Sequence, residues 1–282
     1  MLPKIYLFLH HLFLHHLFFY RLTGFLALNF VIISSIKLEI QPASAVIIGQ
    51  RPTTNSIAQF REPVFKAPPP PPSDTRSSDN RTGGGSRGCQ DVANQPEGSE
   101  QKPLTALVPV YESKDATSVF GLTVSANPTL WFYVPYQAKS SGNFVLYDGG
   151  NKPVYEVPFK LTGKPGVVQI SLPPSVSLEV DRQYQWYFNI YCEPRQPAIS
   201  VNGKIKRVNF SNPALRSQLE KATVSDRASI LAANGIWYDA LTAAGELRQT
   251  SPYDGHWPSL LRQIGLSNIV SEPIVECCKT EN

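Results

Sequence analysis

Short apolar runs closed by turn residues, repeated between residues 103 and 210, constrain the fold of this chain most. The runs are Leu104–Val110, Leu130–Tyr136, Asn143–Tyr147, Val154–Leu161, Val167–Leu172, Tyr184–Cys192 and Ile199–Phe210. They alternate in strand fashion, and the breaks are Pro, Gly, Asn and Asp. In Tyr184–Cys192 the residues Tyr184, Trp186, Phe188, Ile190 and Cys192 share one face, and Gln185, Tyr187, Asn189 and Tyr191 share the other. Asn202-Gly203 reads as a hairpin turn between Ile199-Ser200-Val201 and Ile205. Seven such strands predict an antiparallel, immunoglobulin-like β-sandwich over 87–210. The likeness is in outline: the first cysteine precedes the first strand, and Ile190 stands two places before the second, where that fold has a tyrosine.

From residue 211 the spacing becomes helical, predicting two or three helices over 211–270. Asn212-Pro213 reads as an N-cap with Pro at the first helical position, followed by Leu215 and Leu219 on one face. A second helix from near Ser225 carries the stripe Ile230, Ala233, Trp237, Ala240, Leu241, Ala244 and Leu247 and ends at Ser251-Pro252. A third follows Trp257-Pro258 and stops at Gly265. The tail 271–282 reads as flexible.

The N-terminus predicts export. Gly24 to Ile36 is a charge-free run of thirteen residues preceded by Arg21, and Ala43-Ser44-Ala45 has the form of a signal-peptidase site. Residues 1–45 therefore read as a signal peptide cleaved after Ala45, placing the product in the periplasm or outside the cell; retention as an anchor is the other reading. Four histidines in that leader make it a poor hydrocarbon span. Residues 46–86 read as a disordered linker, with five prolines at 68–72 and a polar Ser/Asp/Asn/Gly stretch after them. The run Gly83 to Gly88 lacks the Lys-Ser/Thr ending of a phosphate loop.

Composition narrows function. A net charge of +4 on 282 residues is too small for a nucleic-acid footprint. The basic run Lys204-Ile205-Lys206-Arg207 reads as a solvated strand face. Cleavage after Ala45 leaves one histidine, His256, so any Ser-His-Asp centre has to use it. Asp254, two residues before it, reads as capping a helix start rather than as catalytic. No metal site is expected, because Cys277, Cys278 and His256 give three candidate ligands where a closed zinc site needs four. An oxidising compartment favours disulfides, and Cys89 with Cys192 is the most economical pair; free thiols are the alternative. Cys277 and Cys278 are neighbours, about 3.8 Å apart at Cα, closer than the usual disulfide span, so they are not expected to pair.

Leu130–Tyr136 supplies the candidate binding residues. If the face opposite its core side is exposed, Trp131 and Tyr133 form an aromatic platform for a sugar or a protein. The favoured reading buries both faces, one beneath the helical lobe carrying Trp237.

The strings Thr82-Gly-Gly-Gly-Ser-Arg-Gly-Cys89, Leu104-Thr-Ala-Leu-Val-Pro109, Pro128-Thr-Leu-Trp-Phe-Tyr-Val-Pro-Tyr136 and Asn234-Gly-Ile-Trp-Tyr-Asp-Ala-Leu241 resemble a cyanobacterial family, domain of unknown function 928, over roughly 80–272. The resemblance implies an exported envelope protein and supplies no catalytic residues. The expectation is a non-catalytic module, without a cofactor, that binds an envelope protein or glycan. It touches the membrane only through its export signal. The alternative is an enzyme that uses carboxylates on envelope polysaccharide.

Overall fold

The computed structural model describes residues 62–71, 79–84, 102–114, 116–136, 140–161, 164–192, 197–210 and 212–278, all within one unit, Ser56–Asn282. The predicted signal peptide, its cleavage site and Cys89 lie outside the described residues, and with Cys89 the Cys89–Cys192 bridge.

The fold is mainly β. Nine strands, β1 (Thr105–Ala106), β2 (Val110–Glu112), β3 (Thr117–Thr123), β4 (Thr129–Val134), β5 (Ser141–Tyr147), β6 (Pro153–Lys160), β7 (Gly166–Ser171), β8 (Gln183–Tyr191) and β9 (Ile199–Arg207), form two sheets. Their orders are β1-β4-β7 and β2-β3-β9-β8-β5-β6. Alternation works as read from the sequence: Phe132 of β4 stacks on Phe188 of β8 at 4.2 Å and meets Trp186 edge-on at 5.6 Å, closing the core between the sheets.

Three strand expectations fail for local reasons. β3 went unread, and it pairs parallel to β9 through Phe120–Lys204 to Thr123–Arg207, so the sandwich is not wholly antiparallel. Asn202-Gly203 is no hairpin turn but lies inside the continuous strand β9, opposite Tyr187 and Trp186. Gly203 serves close packing, since a Cβ there would lie 2.5 Å from Trp186 Cζ2. Lys204, read as solvated, is 6% exposed and pairs with the buried Asp79 at 3.3 Å.

Asp79 belongs to the predicted linker, and part of that linker is structured. Asp79 N–H donates to Thr117 O, Asn202 N–H to Asn80 O, Gly83 N–H to Leu104 O, and Ala106 N–H to Arg81 O. Residues 79–84 thus run between β9 and β1 and join the two sheets. The polar composition gave no apolar signal, because backbone hydrogen bonds and one buried carboxylate anchor the segment.

Four helices follow: α1 (Pro213–Lys221), α2 (Val224–Ala233), α3 (Trp237–Thr250) and α4 (His256–Gln263). Asn212 caps α1, its side-chain oxygen accepting from the Ala214 and Leu215 amides. The long predicted second helix is two, α2 and α3, because Gly235 turns left-handed at φ 75. Residues 62–71 are not free linker either. Gln263 accepts from Phe65 N–H at 2.8 Å and donates to Pro63 O at 2.7 Å. Lys66 N–H donates to Ala232 O, and the Phe65 ring meets Trp237 edge-on at 4.8 Å. This strap lies across α2–α4. The tail is held as well: Val167 N–H donates to Pro273 O and Val275 N–H to Val167 O, adding a parallel bridge to β7. No described helix is long and apolar enough to cross a membrane.

Candidate functional site

Trp131 and Tyr133 form no exposed platform, in line with the favoured reading that both faces of Leu130–Tyr136 are buried. Trp131 is 1% and Tyr133 6% exposed. Trp131 packs edge-on against Trp257 of α4 at 5.3 Å and donates from Nε1 to Thr242 Oγ1 of α3 at 3.1 Å. The helices cover this face of β4, so its aromatic alternation serves two cores. Burial, with Glu272 nearby, pushes the Tyr133 phenol up to about 12.

The outer face of the six-stranded sheet carries polar and aromatic groups together. Pairing of β8 with β5 sets Asn189 beside Asn143, Tyr187 beside Val145, and Gln185 beside Tyr147. A polar rung crosses four strands there. Ser200 Oγ donates to Asn189 Oδ1 at 2.6 Å, Asn189 Nδ2 to Asn143 Oδ1 at 2.9 Å, and Asn143 Nδ2 to Glu156 Oε1 at 2.7 Å. Each amide spends one of its two N–H donors within the rung. Beside the rung, Tyr147 and Tyr187 meet edge-on at 5.7 Å. With Val145, Asn151 and Asn189 they line an open cleft of about 330 Å³.

The β5–β6 turn fixes the rim of this cleft. Asp148 Oδ1 accepts the Gly150 and Lys152 amides, and its other oxygen pairs with Arg182 at 3.0 Å. The Lys152 amide, then the Gly150 amide and the Arg182 guanidinium, hold the Asp148 carboxyl below the usual range. Asn151 follows at φ 59, a left-handed position that Asn tolerates. The sequence placed Gln185, Tyr187, Asn189 and Tyr191 on one strand face. It did not say which strand lies beside them, so Tyr147, Asn143 and Asn151 were missed.

A second cavity, about 250 Å³, lies where the sandwich meets the helices, lined by Asp239, Thr242, Arg227 and Glu246 among others. Its polar atoms largely serve the fold. Asp239 Oδ2 accepts from Val124 N–H, Thr242 Oγ1 donates to Tyr238 O, and Asn127 Nδ2 donates to Pro173 O and Val176 O. Burial pushes the Asp239 carboxyl up, against hydrogen bonds from Thr123 and the Val124 and Ser125 amides.

His256 and Asp254 sit at the start of α4, as read. Asp254 Oδ1 accepts from the His256 amide at 2.8 Å, and also lies 2.7 Å from the ring Nδ1. His256 is 1% exposed, and its Nε2 lies 3.2 Å from both Ser225 Oγ and Ser229 Oγ of α2, contacts the sequence did not show. Among the described residues no group of three or more His, Cys, Asp or Glu side chains is placed to hold a metal. Cys277 and Cys278, not expected to pair, are bridged to each other, with Cys278 at φ 66. Their Cα atoms lie 3.7 Å apart, the spacing of neighbouring residues. Cys192 is partly buried against the core.

A family model described as Domain of Unknown Function (DUF928) matches residues 82–274. The chain belongs to that family. No curated protein matches it. The matched stretch begins after Asp79 and the strap, both of which are packed into the fold.

Proposed function

We propose that this chain is an exported envelope protein, its leader removed after Ala45, that binds a neutral glycan on the outer face of the six-stranded sheet. The single observation that carries the reading is the cleft of Tyr147, Asn151, Tyr187 and Asn189 over Val145. Sugars present both C–H faces and hydroxyls. Tyrosine rings take the former, and amide donors and acceptors take the latter. None of the five residues lining this cleft is charged, which favours a neutral ligand over an anionic polymer or nucleic acid. The glycan is favoured over a protein partner because the face is shallow and rich in amides, without a hydrophobic anchor pocket.

The sandwich supports an immunoglobulin-like reading. The order β9-β8-β5-β6 facing β4-β7 follows the G-F-C-C′ and B-E strands of that architecture. The polysaccharide-acting alternative needs two facing carboxylates. Glu156, the carboxylate of the polar rung, is bonded to Asn143 instead.

A panel of neutral and anionic envelope glycans, titrated calorimetrically into the full chain, tests this. The expected outcome is binding of a neutral glycan, weakened roughly 10-fold or more in Tyr187→Ala with unchanged melting. Absence of any glycan binding, or equal binding by the variant, refutes it.

A further inference from the structure

The cluster at the α2–α4 contact goes beyond glycan binding and is independent of it. Its parts come from two elements that the chain brings together. Asp254 Oδ1 lies 2.7 Å from His256 Nδ1, and His256 Nε2 lies 3.2 Å from Ser225 Oγ. A carboxylate on Nδ1 fixes the proton there, so Nε2 presents its lone pair to the hydroxyl. This is the order of contacts that activates a serine. Ser225 is the second residue of α2 and is half-buried. Thr223 takes up the next two amides: its side chain accepts from Asp226 N–H and its carbonyl from Arg227 N–H. The Val224 and Ser225 amides precede them in the first turn, where helix geometry provides no acceptor. These two amides would be the donors to an oxyanion formed at Ser225. Ser229, one turn later, shares Nε2 at 3.2 Å.

We propose that Ser225, His256 and Asp254 form a hydrolytic centre for small carboxylic esters. Ser225 Oγ forms a bond to the acyl carbon while Nε2 takes the hydroxyl proton. The bond to the leaving alcohol breaks, and His256 delivers that proton to the departing oxygen. Water then attacks the acyl-serine, giving its proton to Nε2. As the ester bond to Ser225 breaks, that proton returns to Ser225 Oγ. One ester and one water become one carboxylic acid and one alcohol, with no other reactant. Asp254 is a positioning residue. Its carboxylate accepts from the His256 amide and faces Nδ1, and its role is to hold the ring tautomer.

The test treats the full chain with a fluorophosphonate probe, maps the labelled residue by mass spectrometry, and follows hydrolysis of p-nitrophenyl acetate. Label on Ser225 is expected. Turnover should fall roughly 100-fold or more in Ser225→Ala, with melting unchanged because a half-buried hydroxyl is removed. Asp254→Asn should lower kcat with KM preserved, which a purely structural cap would not do. Label on Ser229, or no serine labelled in the folded chain, overturns the proposal and leaves His256 as a clasp between α2 and α4. Neither result bears on the glycan cleft.

Discussion

A Cβ at Gly203 would lie 2.6 Å from the Val119 carbonyl as well as against Trp186. Gly203→Ala should therefore destabilise by about 1–3 kcal/mol through forced shifts of packed groups, read as a lower denaturation midpoint. The neighbouring Lys204 is held by Asp79, whose carboxylate also accepts from Val119 N–H at 3.1 Å and Gln185 Nε2 at 3.2 Å. Removing one partner leaves the other buried and charged. Asp79→Ala should cost about 3–5 kcal/mol, and adding Lys204→Met should recover a large part of it; urea titrations of the single and double variants measure both. Tyr111 and Tyr133 hold their protons to about 12 because burial disfavours the phenolates. An unfolded tyrosine ionises near 10. The folded chain thus binds more protons than the unfolded chain between these values. The contribution to stability is full below about pH 10 and is lost as pH rises to about 12. Phenolate absorbance followed together with circular dichroism should show these two rings ionising as the chain unfolds.

At the scale of elements, periodicity located strands and helices, but single contacts set their limits. The stripe Ile230 to Leu247 reads as one helix because the apolar spacing continues across Asn234-Gly235. The helix breaks there because Gly235 turns left-handed, and the Lys66 carbonyl of the strap, 2.8 Å from where a Cβ of residue 235 would lie, keeps that position for glycine. β3 escaped reading because Thr117–Thr123 carries Ser, Gly and Thr among its apolar positions and pairs with a strand distant in sequence. The strap adds an aromatic contact and a two-way amide clamp to the helices. Phe65→Ala should cost about 2 kcal/mol, the scale of burying part of an aromatic side chain. The Lys66 amide should then exchange its hydrogen faster, as hydrogen-exchange mass spectrometry would record.

For the molecule as a whole, the question is where the folding unit begins. The family match begins at residue 82, yet Asp79 and the strap before it are built into both parts of the fold. A chain beginning at Thr82 should unfold at lower denaturant than one beginning at Glu62, because it lacks the Lys204 partner and the cover over Trp237. Parallel denaturation curves of the two chains decide this. The amino-acid order by itself determined most strands, the α1 cap, the helical C-terminal part and the opposed faces of β8, because these follow from period and local hydrogen bonding. The tertiary structure decided which faces meet solvent. It buried Tyr133 and set Trp131 beneath α3 and α4, drew Asp79 in to Lys204, set Tyr147 beside Tyr187, and brought Ser225 to His256. These are contacts between residues far apart in the chain, and no local period encodes which surface a strand or helix will find opposite it.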